Sequence, residues 1–111
     1  MEESEVYAVE LAVDEACSNM IEYAYQGIEG GDIECTCDMQ KDQLILVLRD
    51  HGRPFDPARV PPPDFSQDLQ HRRVGGLGIY LMRHYMDEVR FEQLGNSGNL
   101  VTLIKHRRVK K

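Results

Sequence analysis

The first forty residues of this 111-residue chain contain no lysine or arginine. Eleven acids fall in that stretch, whereas residues 41 to 111 hold eight acids and all thirteen bases, so the two parts carry −11 and +5. A module that grips nucleic acid through its phosphates needs a basic face, and the net charge of −6 has the wrong sign for one. Long hydrophobic runs are also missing. The longest, Leu44-Ile45-Leu46-Val47-Leu48, falls far short of the roughly 20 residues that span a bilayer. The start is acidic from Glu2 onward and lacks the basic n-region of a secretory signal. Three cysteines cannot close a disulfide set, which suggests a reducing compartment. These shortages predict a soluble cytoplasmic protein with neither nucleic acid nor membrane as partner. What is present is ordinary globular composition, 41% hydrophobic and 29% charged. The length suits one domain over residues 1–111, burying roughly two-thirds of its unfolded surface.

Spacings of three and four among Val6, Val9, Val13, Ala16, Met20 and Tyr23 predict a helix over 5–26, capped by Ser4 and stopped at Gly27. Ile33, Cys35, Cys37 and Met39 alternate with polar residues as in a half-buried strand. A turn at Lys41-Asp42 leads into a second strand over 43–49, completing a hairpin. Cys35 and Cys37 share a strand face and read as small buried hydrophobes, with Cys17 as packing. No histidine pattern supplies the two further ligands that a zinc site needs. Residues 51–75, with Pro54, Pro57 and Pro61-Pro62-Pro63, forbid regular structure, and so long a loop in a small domain is functional or mobile. Gly76-Leu77-Gly78 opens a helix through Asp87, with Ile79, Met82, Tyr85 and Met86 on one face. Strands over 89–94 and 100–105 follow, joined by the turn Gly95-Asn96-Ser97-Gly98-Asn99, and a solvated basic tail ends the chain. The order helix, hairpin, long loop, helix, hairpin predicts an α+β two-layer sandwich with helices on one face of a mostly antiparallel sheet.

Three local signals carry chemistry. Glu15 and Asn19, four apart, lie on one helix face, where a carboxylate beside an amide can activate a nucleophile and offer oxygen to Mg²⁺. Glu–Asn pairs at this spacing are common by chance. Asp50-His51-Gly52 follows an apolar strand, so its carboxylate can accept a hydrogen bond from an exocyclic amine such as that of adenine, while the glycine lets a flat ring approach. The bland counterpart is a simple Asp-x-Gly turn. Gly75-Gly76-Leu77-Gly78 at a helix start presents backbone N–H groups suited to a polyphosphate, and Arg72 and Arg73 could reach terminal phosphate oxygens. Its bland counterpart is a tight turn. The acidic helix facing a basic loop suits a metal–anion complex, although on charge alone a solvated acidic face is the simpler account.

Their order is more specific than any one of them. Through VELAVDEACSNMIEYAY, LVLRDHGRPFDP, GGLGIYLMRHYMDEVRFE and the closing GNLVTLIK, the chain resembles the GHKL (histidine kinase-like) ATPase domain, and within it the anti-sigma-factor serine kinases. The resemblance implies ATP and Mg²⁺ as cofactors, with Glu15 as catalytic base and Asn19 as metal ligand. Asp50 would bind the adenine amine with Gly52 giving the ring room. Gly76 and Gly78 would contact phosphates, with Arg73 a looser match for the terminal phosphate, and Thr102 would support the adenine pocket. The loop over 51–75 would be the ATP lid. The implied activity is phosphorylation of a serine on a STAS-type anti-anti-sigma regulator, with sequestration of a sigma factor as a second role and a homodimer as an allowed assembly. The other reading is a non-catalytic nucleotide-sensing module within a larger signalling protein. Two departures stand out: the strand and helix that precede the first motif in the family are not represented, and Tyr23 stands where a histidine is often found.

Overall fold

The computed structural model describes residues 3–27, 31–57 and 74–107. Helix α1 spans Glu3–Asn19 and runs into a single π-helical turn, Met20–Ala24. Strands β1 (Ile33–Met39) and β2 (Gln43–Asp50) form a hairpin, and helix α2 covers Val74–Tyr85. Strands β3 (Glu88–Gln93) and β4 (Asn99–His106) make the second hairpin. The four strands form one antiparallel sheet in the order β1-β2-β4-β3. The α+β class and the pairing of both hairpins follow the sequence expectation.

The register decides which side chains share a face. Residues directly opposite in an antiparallel pair point the same way. Leu48 therefore shares its face with Val101 and Phe91, Leu46 with Leu103 and Val89, and Asp50 with Asn99. This is the face that α1 and α2 cover. Ala12 and Ala16 from α1, Met20 from the π-turn, and Met82 and Met86 from α2 and its exit pack with Leu44, Leu46, Leu48, Val101 and Leu103 in one core. The alternate set, including Val47, Thr102 and Arg90, lies on the other face.

Several sequence expectations shift. The fully buried row of α1 is Ala8, Ala12 and Ala16, not the valines: Val6 is 41% exposed, and Val9 and Val13 pack at the flank. Alanine every fourth residue leaves the least side chain between helix and neighbours, so that row makes the closest approach. The helix predicted over 5–26 changes form after Asn19, where the Tyr25 N–H reaches back five residues to the Met20 carbonyl at 3.0 Å, the spacing of a π-turn. It ends at Ala24, capped by Tyr25, two residues short of the expectation, and the turn that follows closes at Gly27, whose φ is +74°. Cys35 and Cys37 are exposed. They face the helix side as expected, but β1 is an edge strand and only Ile33 of it packs against the core. Helix α2 begins at Val74, two residues before the predicted start.

Candidate functional site

Asp50 ends β2 and is completely buried. A buried carboxylate needs donors, and here they converge on one oxygen. Oδ1 accepts from the Gly52 N–H at 2.9 Å, the Asn99 N–H at 3.1 Å and Asn99 Nδ2 at 3.0 Å. Among the described residues Oδ2 receives only the longer contact from Asn99 Nδ2, 3.2 Å, and so keeps more of its capacity to accept. Asn99 reaches this position because Gly98 precedes it. Gly98 holds φ +106°, and a Cβ there would run into the Asp50 carbonyl, so only glycine lets the two strand ends meet.

The end of α1 is fastened to the same place. Arg53 N–H donates to the Ala24 carbonyl at 2.8 Å. A Cβ on Gly52 would come within 2.7 Å of the Ala24 carbonyl carbon, so the immediate need for glycine there is the helix end. The Tyr25 hydroxyl accepts from His51 N at 2.7 Å and donates to the Asp32 carbonyl at 2.6 Å. Asn19 ends α1 directly before the π-turn that is fastened here, and Glu15 lies about one turn earlier. Asn19 is 3% exposed, and its Nδ2 has no hydrogen-bond partner among the described residues. Glu15 is half-buried; burial first, and the neighbouring Asp14 carboxylate second, push its carboxyl above the ordinary 4.5. Aromatic rings border the site: Tyr23 stacks on Phe55 with centroids 4.9 Å apart, and Phe55 meets Phe91 edge-on at 6.5 Å.

Of the expected residues, Asp50 and Gly52 are hydrogen-bonded to each other, and Asn19 and Glu15 stand on the helical segment whose end is fastened to Arg53. Gly76 and Gly78 lie inside the opening turns of α2. The first four N–H groups of a helix have no partner within it, which leaves that of Gly76 available and commits that of Gly78 to the ladder. Arg73, and the lid from 58 to 73, fall outside the described residues. Thr102 does not join the site. Its cross-strand neighbours are Val47 and Arg90, on the face turned away from Asp50, and the residue of β4 that supports the carboxylate is Asn99. Sequence reasoning placed Asn99 in a turn. Its signal was the Gly98-Asn99 pair at the start of a strand, which becomes legible only once the β2–β4 register is known. Among the described residues no group of three or more His, Cys, Asp or Glu side chains could hold a metal, and no helix is long and apolar enough to cross a membrane.

A profile of the histidine kinase-like ATPase domain matches residues 1–105. The chain belongs to that family. It is 32% identical over 106 residues to the serine-protein kinase RsbW of Bacillus subtilis, covering 92% of this chain and 65% of that protein. The RsbW of Bacillus pumilus is 34% identical over 107 residues, covering 91% and 65%. Among solved structures, the histidine kinase domain of a blue-light activated kinase from Erythrobacter litoralis superposes with a TM-score of 0.64 at 19% identity, over 92% of this chain and 44% of that one. The Acinetobacter baumannii histidine kinase AdeS gives 0.58 at 16% identity, over 90% and 46%. These two share the fold. The chain thus spans 65% of the length of the two RsbW proteins, and in this histidine kinase-like ATPase domain the buried Asp50 stands at the end of β2, one of the two inner strands.

Proposed function

We propose that this domain binds ATP with Mg²⁺ and acts as a serine protein kinase of the anti-sigma-factor type, with a serine on a STAS-type anti-anti-sigma regulator as substrate and a sigma factor as second partner. The observation that carries the reading is Asp50: a fully buried carboxylate surrounded by donors, with one oxygen still able to accept. Such a group suits the exocyclic amine of adenine. The Mg²⁺ ion is a hard cation that takes oxygen ligands. A buried Asn19 amide with no partner for Nδ2 fits that need, because rotation about its terminal bond presents the oxygen instead. When bound, the metal offsets charge on the transferring phosphoryl group.

The chain's own residues do the remaining work. Glu15 accepts the proton of the serine hydroxyl, and a carboxyl raised above its ordinary range is a better base than an exposed one. Gly76 offers its N–H to phosphate, while Gly78 and Arg73 are assigned on resemblance alone. Two relatives of this chain are named serine-protein kinases, which supports the activity class.

Calorimetric titration with MgATP beside Asp50→Ala tests the nucleotide assignment. A hydrogen bond to a charged group contributes about 1.5–3 kcal/mol, so the substitution should weaken binding about tenfold to a hundredfold. A change below about twofold refutes the adenine role of Asp50. Phosphate transfer to a serine-bearing STAS partner, lost in Glu15→Ala with nucleotide binding retained, tests the chemistry. Binding without transfer to that partner would make the domain a nucleotide sensor.

A further inference from the structure

We propose that Asn99 is a positioning residue that sets nucleobase specificity, by holding the Asp50 carboxylate and the segment 53–55 as one piece. The inference rests on the nucleotide-binding reading above. Asn99 is 4% exposed, and its side chain is spent on three partners. Nδ2 lies 3.0 and 3.2 Å from the two Asp50 oxygens and 2.7 Å from the Arg53 carbonyl. Oδ1 accepts from the Phe55 N–H at 2.8 Å. An amide nitrogen has two hydrogens, so one is forked across the carboxylate and the other goes to Arg53. No donor is left for a nucleotide, and Asn99 acts through the groups it holds.

The forked bond fixes the plane of the carboxylate, and the three contacts on Oδ1 leave Oδ2 as the oxygen that meets a ligand. Adenine presents an amine on its six-position, whereas guanine presents a carbonyl oxygen there. A carboxylate held still accepts from the first and repels the second, and a site built around one such bond rejects the analogue lacking it. The same amide fixes the backbone of Phe55, whose ring stacks on Tyr23, four residues beyond Asn19. One side chain therefore ties the adenine-reading carboxylate to the aromatic edge beside the metal-binding helix.

The test compares wild type with Asn99→Ala and Asn99→Asp, measuring dissociation constants for MgATP and MgGTP and hydrogen exchange at the Phe55 amide. Asn99→Asp keeps the shape and the acceptor for Phe55 but removes the donors facing Asp50. Both variants should weaken MgATP by about tenfold and shrink the preference for ATP over GTP. Exchange at Phe55 should quicken in Asn99→Ala and stay slow in Asn99→Asp. A lower melting temperature with an unchanged ATP-to-GTP ratio would mark Asn99 as structural only and overturn the proposal. If neither variant folds, Asn99→Thr carries the test. Its hydroxyl can serve Asp50 but cannot also reach Arg53 and Phe55, so faster Phe55 exchange with a smaller ratio is expected, and unchanged values overturn the idea. Failure of the wild type to bind MgATP removes the nucleotide-binding reading and this inference with it, a result distinct from wild-type binding that the variants leave unaltered.

Discussion

Strand β2 buries every second residue, Leu44, Leu46, Leu48 and Asp50, while its hairpin partner β1 leaves all but Ile33 exposed. The two strands point matching side chains to the same face: Cys35 lies opposite Leu48 and Cys37 opposite Leu46. They differ in what lies beside and above them. β2 is flanked by strands on both sides and packs under helix residues such as Ala16, Met20 and Met82, whereas β1 is an edge strand of which only Ile33 packs against the core. Sharing a face is a local property of the pleat, and coverage of that face is set by distant elements. Asp50 is dry because it ends the covered strand.

The largest expected effect breaks this comparison if it is wrong. Leu48→Ala should cost about 2–5 kcal/mol in urea unfolding, while Cys35→Ala, directly opposite, should stay within about 0.5 kcal/mol. Equal costs would mean that β1 is as covered as β2. Two glycines sharpen the point at the strand ends. Gly27 has φ +74° with open space around it, and Gly98 has φ +106° with the Asp50 carbonyl in the way. Gly27→Ala should cost about 1–2 kcal/mol from backbone strain alone. Gly98→Ala should cost clearly more and weaken MgATP as well, because Asp50 must move; equal melting temperatures would sink this.

Glu15 supplies a pH test. Its carboxyl is raised in the folded chain, so folding favours the protonated form and this contribution is lost as pH rises through the folded value. Glu15→Gln should therefore raise the melting temperature at pH 7, and the gain should vanish once pH falls below the ordinary 4.5. A constant gain across that window would show that the carboxyl is not perturbed. The smallest effect is chemical. Burial, then Cys35, then Asp14 push the Cys17 thiol up, and Cys35 and Cys37 are exposed. Iodoacetamide on the native chain should label Cys35 and Cys37 before Cys17, as read by peptide mass spectrometry, and simultaneous labelling would contradict the burial.

Part of the candidate site's layout was legible without coordinates. Glu15 and Asn19 needed only the helical spacing that puts them on one face, and Asp50 with Gly52 needed only the end of an apolar strand. Both hairpins and the α+β class follow from alternation and turn residues, which are short-range properties of the chain. What the sequence alone could not determine was parity and coverage. Thr102 and Asn99 both belong to β4, and the choice between them depends on which residue lies opposite Asp50, a contact across 49 positions of chain. A shift of one residue exchanges the two faces of a strand, and the register that forbids the shift is fixed by the whole sheet. The exposure of Cys35 and Cys37 has the same origin. Side-chain alternation is written residue by residue, but the neighbour that covers a face, or the amide that holds a carboxylate, arrives from elsewhere and exists only in the folded molecule.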